Sequence, residues 1–320
     1  MKNKGIGIIL IVAVLAIAGA VIWNVVSLKL DKRAENPYEY NVDVFKEVNP
    51  DLIHYKEVKQ IRLKAHNPSS IDYINGKLFI AGDSAVRIID TAGNQQNIIQ
   101  FNDAVKVVKA ISNTQFIICF KNSFQHYDLN TKQSTYKITE SDTSVFTSLA
   151  INDTAIFIAD AGKRKVYSYS LTGEKTGEFG GISGSASLHG FIIPSPYFDL
   201  NFNEQGELWV VNPGMHSLQN YSFAGNLEKE WSKISMKIDG FCGCCNPAHF
   251  AFLPDGNFVT SEKGMVRIKV YNVNGDLLSV VAAPKKFTED GKAPDITVSE
   301  NGQIIALDFD KKVIRFFDEL

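Results

Sequence analysis

Three of the chain's four cysteines fall inside one run, GFCGCCNPAHF, residues 240–250: Cys242, Cys244 and Cys245, with His249 four positions on. Thiols this close support three chemistries. In an oxidising compartment a pair closes a disulfide, and Cys242 with Cys245 forms a C-x-x-C around a turn that Gly243 permits. A Cys244–Cys245 bridge is strained, because adjacent Cα atoms sit about 3.8 Å apart, below the usual disulfide span. Any single pair leaves one of the three thiols over. Alternatively, three thiolates and His249 fill a tetrahedral Cys₃His zinc site, and the same soft ligands suit copper(I) or an iron–sulfur cluster. The crowded C-x-C-C spacing lacks the two separated knuckles of a zinc ribbon. Thiol exchange is the third chemistry, without the βαβ surroundings of a thioredoxin motif. Covalent haem attachment is excluded, since Asn246 rather than histidine follows Cys245. A structural bridge is the first expectation, a thiolate-bound metal or cluster the second, redox exchange the third.

Other polar residues in loops are candidates for binding: His66, His189, His216, Asn246, Glu262 and Lys263. A lone loop histidine is more often solvated than a ligand. Glu262 and Lys263 are expected to pair with each other or with neighbours at little energetic value. Asp160, Lys163 and Arg164 read as a solvated rim. Asp72, Asp199, Asn246 and Asp295 stand where strands begin and are offered to a central channel. No G-x-S-x-G, H-E-x-x-H or phosphate loop is present.

The elements that must position these groups repeat. INGKLFIAGD, NDTAIFIADA, EQGELWVVNP, PDGNFVTSEK and ENGQIIALDF each place a turn before an apolar β-rich run, and SNTQFIICFK is a sixth with a weaker turn. Anchored on Leu78, Phe116, Ile156, Leu208, Phe258 and Ile304, they recur every 38 to 52 residues. A second alternating strand and a glycine turn follow most of them, at Gly93, Gly173, Gly225 and Gly275. Four short strands at this period define a β-propeller blade. The last unit holds only three strands, so EVKQIRLKA, residues 57–65, is predicted to supply its fourth and close the ring, leaving no open edge. The expectation is an all-β fold, a six-bladed propeller over 57–320. The hairpin turns occupy one face, and the loops with the histidines and thiols gather on the other. Phe79, Phe157, Trp209 and Phe258 recur at blade positions as core, and Cys119 in FIICF as a buried strand thiol.

The LFIAGDSAVRIID and IFIADAGKRKVYSYSLTGE units resemble NHL repeats of six-bladed propellers. An anchor, such a propeller, a GFCGCCNP loop and SEKGMVRIKVY together resemble a group of bacterial envelope proteins, with no activity attached. Six-bladed relatives include lactonases that hold a metal with carboxylates and asparagines, and a zinc lyase that uses histidines; an enzyme is therefore the third functional expectation, behind a binding module and a metal or redox protein.

Ahead of the repeats, Gly5 to Leu28 is an uncharged run flanked by Lys2, Lys4, Lys29, Lys32 and Arg33. It is long enough to cross a bilayer, with Trp23 near an interface. Ala18-Gly19-Ala20 resembles a signal-peptidase site, but the run exceeds an ordinary signal core. The expectation is residues 1–28 as a single-pass anchor, 29–56 as a linker with a short helix near Val42–Val48 ended by Asn49-Pro50, and the propeller in the periplasm or outside the cell, meeting an envelope protein or small ligand. Net charge is −2, with no basic cluster, so nucleic acid is not expected.

Overall fold

A computed structural model describes residues 3–30, 42–180 and 189–320. Residues 31–41 of the expected linker and 181–188 of the long GGISGSASLHGFIIPSP connector lie outside the described residues. The chain forms two units, residues 1–44 and 45–320. The first contains one helix, Asn3–Leu30, in which the 19 residues Gly7–Val25 are apolar and long enough to span a membrane, a property shared with signal sequences.

Among the described residues the second unit holds six sheets of four antiparallel strands each. Blades 1 to 5 are residues 68–100, 107–139, 146–179, 200–232 and 249–282, each a simple up-and-down run. Blade 6 combines Asp295–Val298, Ile304–Asp308 and Val313–Glu319 with the early strand Tyr55–Arg62, which pairs antiparallel to the last of them. The expected closure is present, with its strand beginning two residues before the predicted one. First strands pack side by side in cyclic order, blade 6 against blade 1. This is a six-bladed β-propeller.

The apolar runs of the sequence follow from burial on both faces. Side chains alternate across a strand, and each second strand faces two neighbouring blades. In blade 1, Phe79 and Ala81 pack with Val108, Phe116 and Ile118 of blade 2. Leu78 and Ile80 pack with Ile305, Leu307 and Ile314 of blade 6. Such a strand has no polar side to show. Glycine turns lock successive blades: a Cβ on Gly225 would lie 2.4 Å from Cβ of Phe179, and one on Gly275 2.5 Å from the Trp231 ring, so both positive-φ turns sit directly on the preceding blade.

The segment before the ring differs from expectation. Val42–Phe45 and Pro50–Leu52 are single 3₁₀ turns, and Asn49 opens the second by accepting the Asp51 N–H. Residues 52–54 already belong to the rim: Ser279 Oγ donates to Leu52 O and accepts from His54 N–H.

Candidate functional site: the thiol loop and the channel mouth

Each blade must receive a connector from the one before, and the connector's amides need acceptors. The last residue of the second strand, or the next, supplies them. Asp83 accepts His66 and Asn67 N–H, Asp160 accepts Val145 and Lys163 N–H, and Asn212 accepts Ile192 N–H. Asp160 is fully buried, so its reading as a solvated rim is corrected; Lys163 and Arg164 beside it are exposed.

Blade 5 elaborates the device. Glu262 faces Cys242 N–H at 3.4 Å, but it also takes Arg267 Nη2 at 2.6 Å, Arg267 Nε at 3.0 Å and Lys269 Nζ at 2.8 Å. All three charged side chains are wholly buried. Glu262 was expected to pair with Lys263 or a neighbour at little energetic value; it pairs with neighbours, but in a sealed ion cluster with one carboxylate for two cations. Alternation in MVRIKVY explains the geometry: Val266, Ile268 and Val270 join the core, and Arg267, Lys269 and Tyr271 occupy the opposite side. That side grips the carbonyls of five consecutive residues. Arg267 Nη1 donates to Met236 and Lys237, Lys269 to Ile238 and Gly240, Tyr271 Oη to Asp239, and Arg267 Nη2 again to Gly240. Gly240 is needed at the end of this clasp, because a Cβ there would lie 2.7 Å from Ser235 N.

The thiol loop emerges from that clasp. Asn246, 1% exposed and followed by a cis peptide to Pro247, ties its far end. Its amide nitrogen donates to Cys242 O and Lys263 O, its side-chain oxygen accepts Lys263 N–H at 2.9 Å, and its carbonyl is 2.9 Å from His216 Nδ1. The three thiols diverge in surroundings. Cys242 Sγ lies 3.6 Å from Arg267 Nη2; burial and Glu262 push its thiol above the ordinary value, with Arg267 and Lys269 opposing. Cys244 is exposed, Cys245 is buried, and their sulfurs are 3.2 Å apart. Burial lowers Lys269 to about 8, with Glu262 resisting.

Lys263 and Tyr197 link loop to channel. Lys263 Nζ donates to Ser195 Oγ at 3.3 Å and lies 5.3 Å over the Tyr197 ring, whose edge meets His249 at 5.6 Å. His249 stands between two aspartates, 3.7 Å from Asp199 and 3.8 Å from Asp295. Burial alone would lower this imidazole, but the two carboxylates outweigh it and hold it above its usual value. Burial raises Asp295 to about 6.

The channel carboxylates are engaged between blades. Asp72 accepts Ala110 N–H, Asp199 accepts Phe250 N–H, and Asp295 accepts Ile71 N–H, each from the next blade's first strand. Asp72 also pairs with Lys109 at 3.0 Å. The space they enclose is about 50 Å³, room for one or two waters. A larger groove of about 640 Å³ lies on the turn face, beside Tyr55, Asp255 and Asn301, where the hairpins were expected to offer little reach.

The fold thus brings together Cys242, Cys244, Cys245, Asn246, His216, Glu262 and Lys263, with His249 one aromatic ring away. His66 enters blade 1 and His189 lies exposed before blade 4; no hydrogen bond, ion pair or ring contact joins either to the thiol loop among the described residues. His249 turns to Asp199 and Asp295, and among the described residues no three His, Cys, Asp or Glu side chains are grouped as a metal site. The residues present do not fit a Cys₃His centre. Arg267, Lys269, Ser195 and Tyr197 escaped the sequence reading. The signal for the first two was there: two cations at alternate positions of a strand whose other positions are all core.

No known protein family matches the sequence, and no curated protein does. Solved structures share its fold. A streptogramin B lyase structure is 12% identical over 83% of this chain and 98% of that one, with a TM-score of 0.58. The WD40 propeller domain of Doa1 is 11% identical over 83% and 97%, at 0.56. A protein of unknown function from Bacteroides caccae is 12% identical over 76% and 83%, at 0.54. At these identities the likeness concerns the propeller fold alone.

Proposed function

We propose that the protein is a binding module of the bacterial envelope: an NHL-type propeller, held at the membrane by its N-terminal helix on the extracytoplasmic side, that presents the thiol loop at its channel mouth to an envelope protein or small ligand. One observation carries this reading. Residues 236–240 have every carbonyl held by one strand face, and Asn246 fastens the other end, while Cys244 between them is left exposed. A segment that served only to join blades 4 and 5 would not need a buried ion cluster to fix its shape; a recognition loop gains by being ordered before it binds. The channel carboxylates, by contrast, are engaged by backbone amides of the next blade.

Two measurements test it. A membrane-impermeant maleimide should label Cys244 in intact cells or spheroplasts; labelling only after the inner membrane is opened would overturn the placement. A photo-reactive side chain at Gly243 should yield a discrete adduct in cells, and the same group at Asp255 on the turn face should not. Equal adducts from both faces, or none from Gly243, would overturn the loop as the contact surface.

A further inference from the structure

We propose that Cys244 and Cys245 are a redox-active vicinal dithiol that exchanges two electrons with the disulfide or dithiol of a partner. The inference rests on the presentation of the loop proposed above and adds the chemistry that the loop would perform.

Three features lead to it. First, the two sulfurs are already 3.2 Å apart, so a bridge between them needs little movement. Second, they are unequal: Cys244 is exposed and Cys245 is buried. Of these two, an incoming disulfide meets Cys244, and Cys245 is left to resolve the mixed disulfide. Third, Cys242 is set apart by its own partners. Its N–H faces Glu262 and its sulfur faces Arg267, which leaves the adjacent pair as the exchanging thiols. Burial and the neighbouring Cys244 raise the Cys245 thiol, with Ser195 and the Lys263 ammonium opposing them; Lys263 Nζ itself donates to Ser195 Oγ.

The steps balance. Cys244 thiolate attacks one sulfur of the partner's disulfide; a sulfur–sulfur bond forms, the partner's bond breaks, and the first partner thiolate leaves with the proton lost from Cys244. Cys245 thiolate then attacks Cys244 Sγ, forming the vicinal bridge and expelling the second partner thiolate, which takes the proton lost from Cys245. The partner's disulfide gains two electrons and the loop loses two. Adjacent Cα atoms, about 3.8 Å apart, are closer than a relaxed disulfide spans, so the bridge is strained and readily reduced. Strained, accessible bridges are the labile ones rather than the structural ones. The same loop therefore runs backward, taking two electrons from a partner dithiol.

The test uses the full chain in detergent and oxidised glutathione as the disulfide. After acid quench, maleimide blocking and peptide mass mapping, the wild type should lose two thiols, both at residues 244 and 245, with no glutathione retained and full recovery after dithiothreitol. Cys245→Ser should trap glutathione on Cys244. Cys244→Ser should abolish exchange at the loop, and Cys242→Ser should leave it intact, with circular dichroism confirming that each variant is folded. A bridge that includes Cys242, a persistent glutathione adduct on the wild type, or loss of exchange in Cys242→Ser would overturn the proposal. If exchange fails while the Gly243 adduct persists, the redox inference falls and the binding reading stands.

Discussion

Blades 5 and 6 use the same device with different charge. In blade 6, Asp308 at the end of the second strand pairs with Arg315 of the third at 3.1 Å, and Glu57 from the closing strand takes both Arg315 at 3.2 Å and Lys286 at 3.1 Å. Two carboxylates meet two cations there. In blade 5, Glu262 alone faces Arg267 and Lys269, and nothing in the cluster touches water. The surplus cation is answered by backbone carbonyls instead of a second acid. The comparison shows how an ordinary blade-closing pair becomes a clasp for an irregular segment. An extra lysine costs desolvation, and in exchange the connector acquires one shape.

Five tests would break or sharpen that contrast. The largest effect is expected from Glu262→Gln, which leaves two buried cations without a counter-charge; urea unfolding should show a loss of about 3–5 kcal/mol. Asp308→Asn should cost less, about 1–3 kcal/mol, because Glu57 still faces Arg315. Equal losses would mean that the surplus charge is unimportant.

Next is pH. Lys269 is lowered to about 8 in the folded protein, against about 10.4 for a free lysine. Between these values the unfolded chain binds the proton that the folded chain has released, so stability rises with pH in that window, by up to about 3 kcal/mol. Burial penalises the charged lysine fully below pH 8. Buried tyrosines such as Tyr169 and Tyr271, raised by desolvation, pull the other way above about pH 10. The Cys119, Cys242 and Cys245 thiols, all raised by burial, also pull downward above about pH 8.5 in both proteins, so a chemical-denaturation series from pH 7 to 10 should rise for the wild type relative to Lys269→Met.

Asn246→Ala should cost about 1–3 kcal/mol by orphaning Cys242 O and the Lys263 amide. Hydrogen exchange should quicken at Lys263 and leave Asp160's amides in blade 3 unchanged. Smallest of all, Glu178→Gln, which removes the half-exposed pairing with Lys165 and Lys175, should shift stability by less than about 0.5 kcal/mol.

How much of this was legible depended on how far each signal reaches along the chain. The blades could be read because LFIAG, IFIAD and LWVVN are buried on both faces, which forces continuous apolar runs on local sequence. The closing strand could be read by counting strands, and the gathering of the thiol loop with His216 by tracking strand direction. Asp160 was misread because its amide partner Val145 sits in a connector that becomes its neighbour only once the blade is built. Glu262 was misread for a related reason: Lys263 is beside it in sequence, but Arg267 and Lys269 reach it across a strand face. The carbonyl clasp was hidden altogether, since nothing in KISMKIDG announces that five peptide oxygens will turn to one side.

The pairing of Tyr55–Arg62 with Val313–Glu319 also sets an order of assembly. Glu57 meets Arg315 across 258 positions. As the chain leaves the ribosome, blades 1 to 5 each have all four strands within reach, whereas the closing strand has no partner until the sixth blade arrives. Throughout that wait it is an unprotected edge, the kind of strand that recruits a second chain. Its sequence, YKEVKQIR, carries charge along its length, and Lys56, Glu57, Lys59 and Arg62 would repel or misalign a stray ladder. The residues that later sit on the outer rim thus have an earlier duty, as chaperoning charge on a strand that must stay single until the ring is ready to shut.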